Sequence, residues 1–456
     1  MRYNRLKDYN FTEEITAMTR RETVLKNFKK YEKETEERIR LGVEQNRKGF
    51  VKISVKDKNG NAVANAKIEA KLSKHEFLYG ANLFMLDELE TPEKNELYKK
   101  YFKEGFNAAT LPFYWDALEP EKGKPRFAKD SEKIYRRPAP DLCLEFCEEN
   151  NITPRGHCLT YINFTPKWLD VNDTYEYRRA LEKRYKEISE RYSERIHSWD
   201  VINELFCTEA ERGAYFESDN YLNDSFDLGE KYFRANELTI NEATENVWDN
   251  CHFSFNRSGY YLMIEKALRE GRRIDCVGMQ CHAFRRKEQE HLFTNYIYNP
   301  KRIYDVLDRY EKLCLPILIT EVTIPCYSSS DEDKAIQAEI LTKLFEIWFS
   351  HRAVEGAIYW NLVDGYAAFA PQGDMTAGEN YYYGGLVDFD FNPKPSYYAI
   401  KKLFTEKWTT CESLETDENG CAIFKGFYGE YDINVNGKHY KAVNSSKKRN
   451  DILIEI

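Results

Sequence analysis

The stretch His197-Ser198-Trp199-Asp200-Val201-Ile202-Asn203-Glu204 reads as a short buried strand whose apolar residues Trp199, Val201 and Ile202 stop at an Asn-Glu pair. It therefore delivers a carboxylate at the strand's C-terminal tip, where a parallel α/β barrel keeps its chemistry. A second segment, Leu315-Pro316-Ile317-Leu318-Ile319-Thr320-Glu321, repeats the design. Working outward, strand-like runs fall at Leu78 to Asn82, Ala108 to Pro112, Thr153 to Leu159, His197 to Glu204, Leu238 to Glu242, Ile274 to His282, Leu315 to Thr323 and Gly356 to Asn361. Helical patterns lie between them, clearest at Tyr175 to Tyr192 and Tyr260 to Arg269, with Gly271 as a stop signal. Eight strands alternating with helices predict an α/β fold, a (β/α)8 TIM barrel over residues 78–409. Leu205 to Ala235 is polar and aromatic without a clear period and reads as one long loop over the cleft.

The flanks have a different character. Residues 1–48 are dense in charge, with apolar residues interspersed from Thr12 to Leu41, and predict one or two surface helices. From Phe50 to Lys74 the residues alternate around the turn Asp57-Lys58-Asn59-Gly60, the pattern of short antiparallel strands. Asp417-Glu418-Asn419-Gly420, Ala422-Ile423-Phe424 and Tyr431 to Val435 match it at the far end. Neither part alone closes a core, so residues 49–77 and 410–456 are expected to pair into one small β-sandwich. Phe427 and Tyr428 are its aromatics to watch.

The 456 residues suit a barrel with additions. Aromatics make up 15% of the chain, which fits a cleft that stacks flat apolar ligand faces. The balance of 67 basic against 76 acidic residues, a net −9, disfavours nucleic acid and anionic membrane surfaces as partners. No apolar run approaches the roughly 20 residues of a membrane span. No secretory signal is visible, and the 11 Cys show neither C-x-x-C nor zinc spacing. The expectation is a cytoplasmic protein with reduced thiols and neither metal nor cofactor.

Two strand-tip carboxylates are what glycoside hydrolysis needs: one to donate and take a proton, one to attack the anomeric carbon. The strand ends also carry His157, Asn203, Gln280, His282 and Trp360. With Trp115-Asp116-Ala117-Leu118-Glu119-Pro120, Arg155-Gly156-His157, Trp199 to Glu204, Gln280-Cys281-His282, Ile319-Thr320-Glu321, Tyr359-Trp360 and Asn392 to Tyr398 in this order, the chain resembles the family 10 glycoside hydrolases, the endo-xylanases, from about Leu78 to Leu403. The resemblance implies a retaining enzyme acting on a carbohydrate. Glu204 would be the acid/base and Glu321 the nucleophile. Asn203 would bind the sugar 2-hydroxyl, His282 would position Glu321 and Gln280 would support Glu204. His157 would bind a hydroxyl at the cleavage point, and Trp360 would form an apolar wall. Trp199 and Trp115 read as core packing, and Asp200 as support for the fold.

The chain also departs from that family. Leu111-Pro112-Phe113-Tyr114 replaces the motif whose Asn and Lys bind xylose, Tyr161-Ile162 replaces a Trp-His pair, and Phe369 stands near an expected second Trp. Tyr114 and Tyr161 are therefore candidate substrate contacts on a rebuilt non-reducing side. Three other readings stay open: a carbohydrate-binding protein on a decayed hydrolase barrel, a β-glycosidase acting on a non-xylan glycoside, and a different barrel enzyme such as a lyase or aldolase. An aldolase would want a strand-end Lys and a Gly-rich phosphate loop, and neither is evident.

Overall fold

A computed structural model describes residues 18–206, 213–218, 220–249, 258–448 and 450–456. After helices Arg20–Lys30 and Glu32–Asn46 come two strands, β1 (Lys48–Lys56) and β2 (Lys67–His75). Eight parallel strands follow: β3 (Leu78–Asn82), β4 (Ala108–Pro112), β5 (Thr153–His157), β6 (Ser198–Asn203), β7 (Glu237–Glu242), β8 (Cys276–His282), β9 (Ile317–Thr323) and β10 (Val354–Tyr359). They form a closed barrel in which β10 pairs with β3. Strands β8 and β9 are buried at every position because helices cover the barrel outside and side chains fill it inside. Trp199 is one such filler, packed edge-on to Phe113, and it dictates the residue opposite: a Cβ on Gly156 would come within 2.2 Å of its ring.

The segment expected as one loop is different. Within it lie helices Gly213–Glu217 and Tyr221–Tyr232; residues 207–212 and 219 fall outside those described. The second helix is an outer helix of the barrel. It buries Leu222, Ser225, Phe226, Leu228 and Gly229, and Gly229 lets it approach Leu238 of β7 and Val201 of β6. Its Asn, Asp, Ser and Gly residues weaken helix propensity, and burial of the apolar stripe overrides them.

β11 (Cys411–Glu415), β12 (Cys421–Phe427), β13 (Gly429–Val435), β14 (Lys438–Asn444) and β15 (Asp451–Glu455) complete the chain. They combine with the first two strands into a sheet β12-β1-β15 and a sheet β11-β2-β13-β14. β1 and β2 do not pair with each other as the turn between them suggested. A bridge joins Lys56 to Ala62, and the chain then crosses to the other sheet. Alternation defines which face of a strand is buried, not which strand lies beside it. Val51, Ile53 and Val55 from one sheet and Ile68, Ala70 and Leu72 from the other belong to one apolar core. Phe427 is buried and meets the ring of Phe349, while Tyr428 packs on Gly49.

The N-terminal helices are clamped to the barrel rather than lying loose on it. Arg20 pairs with Glu290 at 2.7 Å and Asp333 at 2.8 Å, and a Cβ on Gly42 would touch the carbonyl of Ser350. Of the expected helical stretch, residues 12–17 lie outside those described.

Candidate active site

Both carboxylate-bearing strands are irregular just before the carboxylate. The β6–β7 register shifts between Asp200 and Ile202, and the β8–β9 register shifts so that Gln280 faces Glu321. Such bulges re-aim the side chains that follow them. β6 ends at Asn203, and Glu204 immediately after it adopts a left-handed backbone (φ 53°) and donates its N–H to the carbonyl of Asn241.

These turns bring the two carboxylates onto shared donors. Nε2 of Gln280 lies 3.0 Å from Oε1 of Glu204 and 3.2 Å from Oε1 of Glu321. The second oxygen of Glu204 accepts from the Tyr161 hydroxyl at 2.6 Å, and the second oxygen of Glu321 lies 3.1 Å from Nε2 of His282. His282 is fixed in turn by Thr323, 3.0 Å from its Nδ1. Nδ2 of Asn241 donates to Oδ1 of Asn203 at 2.7 Å and to Oε1 of Glu321 at 2.9 Å, while the Thr320 hydroxyl holds its Oδ1. With Oδ1 so engaged, Asn203 keeps its Nδ2 donor free of any protein partner among the described residues.

The environments set the protonation states. Burial pushes the Glu204 carboxyl above its ordinary range; donors from Tyr161 and Gln280 pull it down, and the charge of Glu321 pushes it up again. A carboxyl raised in this way keeps its proton longer, as an acid catalyst requires. Asp200 goes the other way: against the pull of burial, Arg155 and His157 hold it below the usual carboxylate range.

His157 is fully enclosed, with Nδ1 2.7 Å from Asp200 and Nε2 3.1 Å from the Tyr114 hydroxyl. The sequence suggested that His157 meets a sugar hydroxyl; here Tyr114 occupies that nitrogen. Trp360 is edge-on to Phe84, His157 and His282, and with Phe84 and Tyr114 it forms an apolar cluster backed by Tyr161 and Phe164. Trp115 donates its Nε1–H to Glu119 within the core. Phe369 is 82% exposed and not part of this wall.

Asn241 and Glu242 went unread in the sequence, although Ile240-Asn241-Glu242 repeats Ile202-Asn203-Glu204. Glu242 is fully buried and accepts from the backbone N–H groups of Ala243 and Phe206 and from Asn246. Burial pushes its carboxyl up to about 7. Among the described residues one group elsewhere has metal-ligand spacing, Asp308, Glu311 and His351 at the opposite end of the barrel. Arg38 pairs with Asp308 and Arg352 with Glu311, so arginines already meet its charge.

The model of glycosyl hydrolase family 10 matches residues 71–403. The endo-1,4-beta-xylanase B of Thermotoga neapolitana is 27% identical over 345 residues, covering 73% of this chain and 88% of that protein. Anti-sigma-I factor RsgI6 of Acetivibrio thermocellus is 27% identical over 409 residues, and there the match covers 85% of this chain but 45% of that protein. Among solved structures, xylanase 10B from Thermotoga petrophila RKU-1 in complex with xylobiose superposes with a TM-score of 0.57 at 25% identity, covering 73% of this chain and 95% of that one.

Proposed function

The chain belongs to glycosyl hydrolase family 10, and from that premise we propose that it cleaves β-linked, xylose-containing oligo- or polysaccharides by double displacement with retention of configuration. The observation that carries this reading is the donor shared by Glu204 and Glu321. One nitrogen 3.0 Å from the first oxygen and 3.2 Å from the second holds them nearer than about 6.5 Å, the lower limit for an inverting pair. No attacking water fits between a sugar and a carboxylate so close to its partner, so the second carboxylate attacks directly.

In this reading Glu321, aligned by His282, Asn241 and Gln280, is the nucleophile. Glu204, kept protonated by burial, hands its proton to the leaving oxygen and then takes one from water. The free Nδ2 of Asn203 donates to the sugar 2-hydroxyl, a bond that strengthens as positive charge grows on the ring. Trp360 provides the apolar wall. A binding protein on a decayed barrel would have no use for two carboxylates each holding a full set of partners. The cytoplasmic placement is part of the proposal, and nine described cysteines that form no disulfide are in keeping with it.

The test is proton NMR of the first product released from a xylo-oligosaccharide. A β-configured product supports the proposal, whereas an α-configured one, or no turnover across xylo- and gluco-oligosaccharides, refutes it.

A further inference from the structure

Two adjacent arginines stand beside the aromatic wall without a carboxylate to answer them. Both lie in the segment that joins helix Trp115–Leu118 to helix Pro140–Glu149. Arg136, in a left-handed backbone conformation, donates to Oδ1 of Asn361 at 2.8 Å and to the carbonyl of Tyr366. Arg137 lays its guanidinium 3.9 Å from the centre of the Tyr114 ring, with Phe84 and Phe164 each at 5.3 Å. Its Nη1 donates to the carbonyl of Arg136 at 2.9 Å. No ion pair within 4 Å is made by either residue among those described, although the chain forms many elsewhere. Asp116, the acidic group nearest in effect, spends Oδ1 on the N–H of Ala117.

A cation held against three rings and denied a counterion is costly unless something supplies the anion. Of five N–H donors on the guanidinium, one is used, and Arg137 is half-buried rather than enclosed. Burial lowers the Arg137 pKa to about 10, which leaves it charged at neutral pH.

The location ties this charge to the reaction. The Tyr114 ring that carries Arg137 reaches His157 with its hydroxyl, and Nε2 of His157 is 3.9 Å from Oε1 of Glu321. Phe164, on the other side, packs on Tyr161, which holds Glu204. Arg137 is thus linked through Tyr114 and Phe164 to the partners of both carboxylates.

Resting on the hydrolase reading above, we propose that Arg137, with Arg136 behind it, receives an anionic substituent of the oligosaccharide, a uronic carboxylate or a sulfate ester, so that the enzyme selects acidic over neutral glycans. A planar fork whose other donors no described protein group takes suits bidentate capture of either group. On a chain of net charge −9 this is a local exception that discriminates for the charged substrate.

The experiment compares three xylo-oligosaccharides of equal length, one neutral, one bearing a glucuronosyl branch and one bearing a sulfate ester, by kcat/KM and by calorimetric binding to the wild-type protein. At least about tenfold preference for an acidic member is expected, the size of a charge-assisted hydrogen bond. The better of the two acidic arms identifies the source. In Arg137→Met the ratio of acidic to neutral should fall towards one, and in Arg137→Lys it should fall less. Equal use and equal binding of all three by the wild-type protein overturns the proposal, whether or not the variants fold. Tighter binding of an acidic member without turnover of any would instead keep the receptor and sink the hydrolase reading.

Discussion

The hydroxyl of Tyr161 donates to Oε2 of Glu204 at 2.6 Å. That bond stabilises the carboxylate and so opposes the upward push of burial on the Glu204 pKa. Tyr161→Phe removes the donor and keeps the ring. The Glu204 pKa should rise, and because the acid must be protonated to act, the alkaline limb of the kcat/KM profile should move to higher pH. A limb that stays in place or moves to lower pH would show that Tyr161 does not tune the acid.

The two carboxylates should separate by leaving group. Glu204→Ala should lose about 10²–10⁴-fold on an unactivated oligosaccharide, the worth of general acid catalysis. It should lose far less on an aryl glycoside whose leaving group departs without a proton. Glu321→Ala should lose nearly all turnover on both. Steady-state kinetics with a matched aryl and alkyl pair decides it; equal losses on both substrates for Glu204→Ala would remove that residue from the acid role.

Much of this was legible because barrel strands are short apolar runs whose polar residues start at the tip. Val201-Ile202-Asn203-Glu204 and Ile319-Thr320-Glu321 announce both the strand and the group it delivers. The partner of each strand in the sandwich was not legible, since the alternation in Val51, Ile53 and Val55 reports a buried face and nothing about the neighbour. Nor was the helix Tyr221–Tyr232, where Asn223, Asp224, Ser225 and Gly229 mask the apolar stripe. Ile240-Asn241-Glu242 looks like Ile202-Asn203-Glu204 in the sequence, yet Glu242 turns to backbone N–H groups while Glu204 turns to Tyr161 and Gln280.

Asn241 bridges Asn203 and Glu321 with one amide nitrogen. Asn241→Ala leaves the Asn203 oxygen without that donor and frees Asn203 to rotate, so the 2-hydroxyl contact is lost along with one bond to the nucleophile. A drop of about 10²-fold in kcat, with a smaller change in KM, is expected, because both contacts strengthen in the transition state. An unchanged kcat would make the bridge structural.

Glu242 sets a pH dependence of stability. Its pKa rises from an ordinary 4.5 to about 7 on folding, chiefly by burial. Protons are therefore taken up on folding, and the contribution is full below about pH 4.5 and lost as pH rises through about 7. Above that pH the cost is roughly 3 kcal/mol. Glu242→Gln removes the titration but keeps only one acceptor oxygen, so of the Ala243 and Phe206 N–H groups, which bond to different oxygens, one loses its partner. The melting temperature of the variant relative to wild type should therefore rise from pH 5 to pH 8; parallel melting curves across this range would show that Glu242 does not titrate on folding.

The sandwich makes the last prediction. β1 pairs with β12 and β15, and β2 with β11 and β13, so residues 410–456 supply every neighbour of the two N-terminal strands. Removing them uncovers Val51, Ile53, Val55, Ile68 and Leu72, each worth about 1.5–3 kcal/mol when buried. The damage should not stop there. Phe427 packs on Phe349 and against His75, and Phe349, on the helix Asp331–Ser350, packs edge-on against Phe77 just before β3. Deletion of 410–456 should therefore lower the melting temperature of the whole protein by at least about 10 °C and take activity with it. Thermal melts followed by circular dichroism, with turnover assayed on the same samples, read both effects; a truncated protein that melts and turns over like the full chain would show that the sandwich and the barrel are energetically independent.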